Sequence, residues 1–169
     1  MSGEIAFDAG RNLLVLGERR LVFHCHHYNV SLQRTIDDIF GEDAAGIQVA
    51  AAAESAREML SAIFGGSSDS LEARLAIAGS LFGQNGFGLA DLSALGSEGG
   101  LVTLGASHDA LGWRAKWGPS ERPVCHFATG YFAGALVAAR GLAPERVVAR
   151  EEHCAAVSEG ACRIRLEVR

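Results

Sequence analysis

The sequence predicts an α+β domain, and three observations carry that expectation. Short β-type runs stand at both ends of the chain, apolar stripes at helical spacing fill residues 32–82, and extended segments return after residue 86. The 169 residues carry fifteen basic and twenty acidic side chains, a net charge of −5, and 49% are hydrophobic. A chain of this length buries roughly 70% of its unfolded surface without staples. One domain spanning residues 1–169 is therefore expected.

The elements follow in order. Asn12–Leu16 and Leu21–His26 read as two strands around a turn at Gly17-Glu-Arg-Arg20. Strand alternation would put His24 and His26 on one face and Phe23 with Cys25 on the other. A first helix is marked by Leu32, Ile36, Ile39 and Phe40 and stops at Gly41. In a second, Asp43 is a candidate cap, and Val49, Ala53, Ala56, Leu60, Ile63 and Phe64 form the stripe before Gly65-Gly66. A third is capped by Asp69 or Ser70 and carries Leu71, Leu75, Ala78 and Phe82.

Strands are expected at Phe87–Leu95 and Leu101–Ala106, joined through Ser97-Glu-Gly-Gly100. A loop holding Trp113, Trp117 and Pro119 precedes a helix at Val124–Arg140, with Pro123 suited to its first turn and Gly141 to its end. The glycines and alanines of that helix suit very close packing. Two last strands, Arg146–Cys154 and Cys162–Val168, complete the order: hairpin, helices, strands, helix, hairpin.

The acidic balance argues against nucleic acid, which requires a basic footprint. No run of 18 apolar residues offers a membrane span, and the polar start Met1-Ser-Gly-Glu4 is no signal peptide, so a cytoplasmic protein is expected. The abundance of Ala and Gly, with Lys116 the sole lysine, fits a GC-rich bacterial genome.

Four cysteines without a secretion signal read as thiols or metal ligands rather than disulfides. A terminal hairpin brings Cys154 and Cys162 together at its loop end, and Cys125 starts the preceding helix, where the macrodipole favours a thiolate. Glu151 or Glu152 adds an oxygen. Three sulfurs and a carboxylate can close a tetrahedral shell around zinc. The same residues also suit small buried thiols, and spacing alone leaves both readings open.

Pro123-Val-Cys-His-Phe-Ala-Thr-Gly-Tyr-Phe-Ala-Gly134, followed by Glu151-x-x-Cys154, Gly160 and Cys162, resembles the 4-vinyl reductase domain. Gly86-Phe-Gly88 and Ala106-Ser-His108 extend the likeness, which is clearest over residues 83–169. The resemblance implies a fold shared with vesicle-tethering subunits and nitric-oxide-sensing haem domains, usually dimeric. It further implies a zinc site of Cys125, Glu151, Cys154 and Cys162 beside a pocket for a hydrophobic or aromatic molecule. The family spacing selects Glu151; strict alternation from Cys154 selects Glu152 unless a bulge intervenes.

The pocket is expected near the small-residue helix. Trp113, Trp117, Phe127 and Tyr131 would wall it, with His24, His26 or His108 as polar handles. Read as a stand-alone binding domain, the chain would regulate only through a partner protein, and as a homodimer built on helix faces. The alternative is an enzyme: a vinyl reductase or accessory of tetrapyrrole metabolism, binding haem or a relative, or a metal-dependent catalyst using His24, His26 and His27. No flavin or nicotinamide motif supports a reductase.

Overall fold

A computed structural model describes residues 5–16, 19–22 and 25–169. It is an α+β arrangement of a small N-terminal sheet, a helical layer and a larger antiparallel sheet. The small sheet contains β1 (Ile5–Asp8), β2 (Leu13–Leu16) and β3 (Arg19–Leu21) in sequential order. Then come α1 (His26–Phe40), α2 (Ala44–Phe64) and α3 (Leu71–Gln84). The second sheet is built from β4 (Gly88–Gly96), β5 (Gly99–Ser107), β6 (Val147–His153) and β7 (Cys162–Val168), ordered β4-β5-β7-β6. Helices α4 (His108–Trp117) and α5 (His126–Arg140) lie between β5 and β6 in the chain. Among the described residues, no helix is long and apolar enough to cross a membrane.

The centre of the molecule is α5. From Ala128 to Ala139 every residue is buried, between α2 on one side and the large sheet on the other. Its glycines explain how α2 comes so near: a Cβ at Gly130 would overlap the Val49 carbonyl, and one at Gly134 the Ala53 carbonyl. The small residues thus serve a backbone-to-backbone crossing of two helices. Directly against Gly130 and Gly134 α2 leaves no room, while beside the crossing a cavity of about 490 Å³ opens, lined by Ala133, Gly134 and Val137 of α5 with Val49, Ala53 and Arg57 of α2. Phe82, Phe132, Leu60, Leu136, Leu104, Ile164 and Leu166 complete one continuous core. At the far end Gly141 takes the left-handed conformation that terminates the helix.

Four expectations are corrected. Strand β1 is an addition to the expected elements, and Arg19 and Arg20, read as turn, pair with Leu16 and Val15 in a tighter hairpin. Residues 108–117, read as loop, form α4, capped by Ser107 Oγ accepting from Ala110 N at 3.4 Å. Gly112 in the middle of α4 hides the helix from a propensity reading, yet it is required there, because the His26 ring and Val30 press against its Cα. Helix α5 starts at His126 with Cys125 as its N-cap residue, so Pro123 lies ahead of the first turn.

The fourth correction concerns α1. Its buried residues are Val30, Gln33 and Asp37, whereas Leu32, Ile39 and Phe40 of the expected core stripe are exposed. Polar partners inside the protein turn the helix this way. Gln33 Nε2 donates to Val124 O at 2.7 Å, and Gln48 Nε2 donates to Asp37 Oδ1 at 2.9 Å. By contrast, α3 follows its pattern: Leu75, Ala78 and Phe82 are buried and Ser70 Oγ accepts from Ala73 N.

The crossing of α2 and α5 gives a direct test. Gly134→Leu would force the two backbones apart and should destabilise by about 1–3 kcal/mol through overpacking. A melting temperature equal to wild type would show that room exists there after all.

Candidate metal centre and ligand cavity

The large sheet and α5 meet at a cluster of sulfurs. Cys154 follows the last residue of β6, Cys162 opens β7, and Cys125 caps α5; all three are almost wholly buried. Cys125 Sγ lies 3.4 Å from Cys162 Sγ and 3.9 Å from Cys154 Sγ, with Ser107 Oγ 3.2 Å away on its other side. The connection closes over the cluster, with Ala155 N donating to Cys162 Sγ at 3.2 Å and Val157 N and Ser158 N to Cys154 O. Its left-handed Gly160 backs onto the His153 ring.

Glu151 completes the group. Pairing of β6 with β7 passes from Glu151↔Ile164 to His153↔Arg163, so Glu152 is the extra residue of a bulge. Glu151 turns inward and its Oε2 accepts from Cys125 N at 2.9 Å, while Glu152 turns outward to the Arg165 guanidinium at 3.1 Å. Donor atoms of Cys125, Glu151, Cys154 and Cys162 all lie within 4.8 Å of one another.

Electrostatics test whether a cation fits. Burial, then the Cys154 sulfur, pushes the Glu151 carboxyl up to about 8. Asp109, behind the cluster, is raised to about 7 by burial and then by Glu151 and Cys154. The cysteines divide their roles: Cys162 sulfur accepts and is favoured as thiolate, whereas Cys125 donates and is held protonated. The macrodipole reading of Cys125 is thereby corrected: hydrogen bonding to the Cys154 and Cys162 sulfurs, then burial beside Glu151 and Asp109, raises its thiol and outweighs the dipole. Crowded acids in a dry site accept little charge without compensation. Glu151 Oε1, buried with no partner, offers the one oxygen not already spent. A divalent cation suits both facts.

A cavity of about 350 Å³ opens nearby, between α1 and α2. Leu32 and Ile36 of α1 face Ala51, Ala52 and Ser55 of α2, and the inner end is closed by Phe87, His108, Asp109 and Phe127. Phe87 and Phe127 stack with centroids 4.1 Å apart. His108 presents its ring here with Nε2 buried and unpartnered, its Nδ1 lying 3.3 Å from His26 Nδ1.

The other expected contacts disperse. Trp113 and Trp117 line a separate groove with Arg34, whose guanidinium lies over both rings at 5.3 and 5.7 Å. Tyr131 belongs to the aromatic core around Phe82, and its hydroxyl donates to Ala78 O at 2.8 Å. His26 opens α1 rather than lying on a strand, so its neighbours are His108 and His27; His24 lies outside the described residues. Among the described residues only the cysteine–glutamate group brings three or more donor atoms together, and the histidines do not. Gln33, Gln48 and Asp109 line the cavity without having been expected there. The signal for Gln33 was its helical spacing from Val30 and Asp37.

Burial, then the His26 ring, holds His108 below the usual imidazole range. A depressed pKa means that the unfolded chain binds the proton more tightly, so this stability is present above pH 6.5 and falls as pH drops below it. Half-burial and solvent screening keep the effect modest, and His126 is depressed by burial as well. His108→Phe should therefore lose less stability than wild type between pH 7 and pH 5. Equal losses in urea titrations at the two pH values would refute this.

Comparison with known proteins follows the same lines. Residues 113–168 match the family model of the 4-vinyl reductase domain. No curated protein matches the chain by sequence. Among solved structures, the crystal structure of the phenol-responsive sensory domain of the transcription activator PoxR with phenol superposes with a TM-score of 0.76. The alignment covers 97% of this chain and 84% of that one at 21% identity, so the likeness is one of fold. The stretch matched by that family model, residues 113–168, contains all four members of the cysteine–glutamate cluster.

Proposed function

We propose that this chain is a sensor-type binding domain that holds a compact aromatic molecule in the cavity between α1 and α2. The observation that carries the reading is the unpartnered His108 Nε2 inside a mainly apolar cavity. Buried polar atoms normally have partners, and a ligand hydroxyl would supply one here. A volume of about 350 Å³ suits a single substituted ring better than a tetrapyrrole, which weighs against the enzymatic alternative. The PoxR domain, of the same fold, is described as phenol-responsive and was crystallised with phenol, which supports the ligand class.

Zinc belongs to the same proposal. Three sulfurs select a soft tetrahedral metal, and Cys125, Cys154, Cys162 and Glu151 would hold it. Bound there it would be structural, with no open position required, tying the cap of α5 to the β6–β7 hairpin. Elemental analysis should find about one zinc per chain, and Cys154→Ser should lose it with a lower melting temperature. Saturating phenol should raise the wild-type melting temperature by several degrees, since each kcal/mol of binding shifts it about 2–4 °C at this size. Ala51→Phe, which fills the cavity from an exposed helix position, should abolish that rise. Metal-free protein of unchanged stability defeats the zinc assignment. Absence of a phenol shift, or a coloured preparation carrying a tetrapyrrole, defeats the ligand assignment.

A second copy of the chain is the proposed partner. Leu32, Ile39, Phe40 and Ile47 leave an apolar face on α1 and the start of α2 that an isolated domain would hide. Light scattering at micromolar concentration should report twice the 17.8 kDa chain mass, and a monomer would overturn this.

A further inference from the structure

The peptide group joining Val124 to Cys125 is bonded at both ends. Its carbonyl accepts from Gln33 Nε2 at 2.7 Å, and its N–H donates to Glu151 Oε2 at 2.9 Å. Gln33 is 8% exposed and lines the α1–α2 cavity; Glu151 belongs to the cysteine–glutamate cluster. A peptide unit is planar and conjugated, so it transmits displacement as a rigid plate. A donor on its oxygen also polarises the N–H, strengthening the bond to the carboxylate. One turn along α1, buried Asp37 accepts from Gln48, another cavity residue, and lies 3.9 Å from His126 Nε2. Two walls of the cavity are thus joined by buried polar contacts to residues 124–126, which set the first sulfur of the cluster.

We infer that Gln33 is a positioning residue linking the cavity to the metal centre through the Val124–Cys125 peptide, so that cavity occupancy and metal affinity are coupled. This rests on the binding reading above. A molecule seated against α1 shifts Gln33, and the peptide plate carries that shift to Glu151 and Cys125. Such coupling is reciprocal: the factor by which phenol changes metal affinity equals the factor by which metal changes phenol affinity.

The test uses the full chain with Co²⁺ as metal probe, read by its thiolate charge-transfer absorption, and phenol as cavity probe. In wild type, saturating phenol should change Co²⁺ affinity about fivefold or more, and Co²⁺ should change phenol affinity by the same factor. Gln33→Met keeps the side-chain length and removes the donor. It should bind Co²⁺ about tenfold more weakly without phenol, shift the charge-transfer band, and lose the phenol dependence. Gln33→Ala serves if the first variant fails to fold. Thr35→Ala, exposed on α1 and outside both the cavity wall and the hydrogen-bonded chain, should retain the coupling. A purely packing role for Gln33 would lower the melting temperature yet leave spectrum and coupling intact, which overturns the inference. So does a wild-type Co²⁺ affinity indifferent to bound phenol. A wild type that binds Co²⁺ but no phenol retires the ligand reading instead, and Gln33 is then judged on Co²⁺ affinity and spectrum alone. Failure to bind Co²⁺ removes both the metal assignment and the coupling.

Discussion

A helix whose start is buried must find partners for its first N–H groups inside the protein, and α5, which follows the wholly buried Val124 and Cys125, is such a helix. Water cannot reach its start. Glu151 takes the N–H of Cys125, and the Asp109 carboxyl takes that of Ala128. Both acids are drawn into the interior by this need, and both carboxyls are raised by the burial that follows. The three sulfurs gather at the same point. The acidity of the cluster is thus a consequence of burying α5, and a cation is the simplest way to balance it.

The same burial explains which parts of the fold were legible in the sequence. The β6–β7 hairpin and α3 obey local rules of alternation, capping and spacing, whereas the four-residue cluster was legible as a set through the family resemblance. The choice between Glu151 and Glu152 was not decidable by alternation, because a bulge sets it, and a bulge depends on the partner strand. Helix α1 is legible in its place but not in the face it turns inward. Leu32, Ile39 and Phe40 outweigh Gln33 and Asp37 on any hydropathy count, while the partners Val124 O and Gln48 that reverse the outcome are distant in sequence. Gly112 disguises α4 for a comparable reason: the helix needs a glycine only because His26 and Val30 arrive from α1.

Small residues mislead in an instructive way. Their number on α5 suggests spare volume, yet Gly130 and Gly134 are where α2 comes nearest. Open space lies to the side of that crossing, along Gly134 and Val137, and again between α1 and α2, where α1 turns polar groups inward in place of an apolar stripe. Close packing in one place and open space in the next follow from the side chains each helix offers α2.

Sequences generally satisfy local rules, and their departures concentrate where something other than stability is selected. Four departures stand out here: Gln33 and Asp37 facing inward on α1, the buried acids Asp109 and Glu151, the orphan Nε2 of His108, and three cysteines in mutual contact. They are far apart in sequence, spanning residues 33–162. In space they form one continuous region, with the cavity at one end, the sulfurs at the other, and Asp109 and the Val124–Cys125 peptide between them. A core selected for stability alone would have apolar residues at most of these positions. Their convergence joins the cavity and the cluster in one polar region inside an otherwise apolar core.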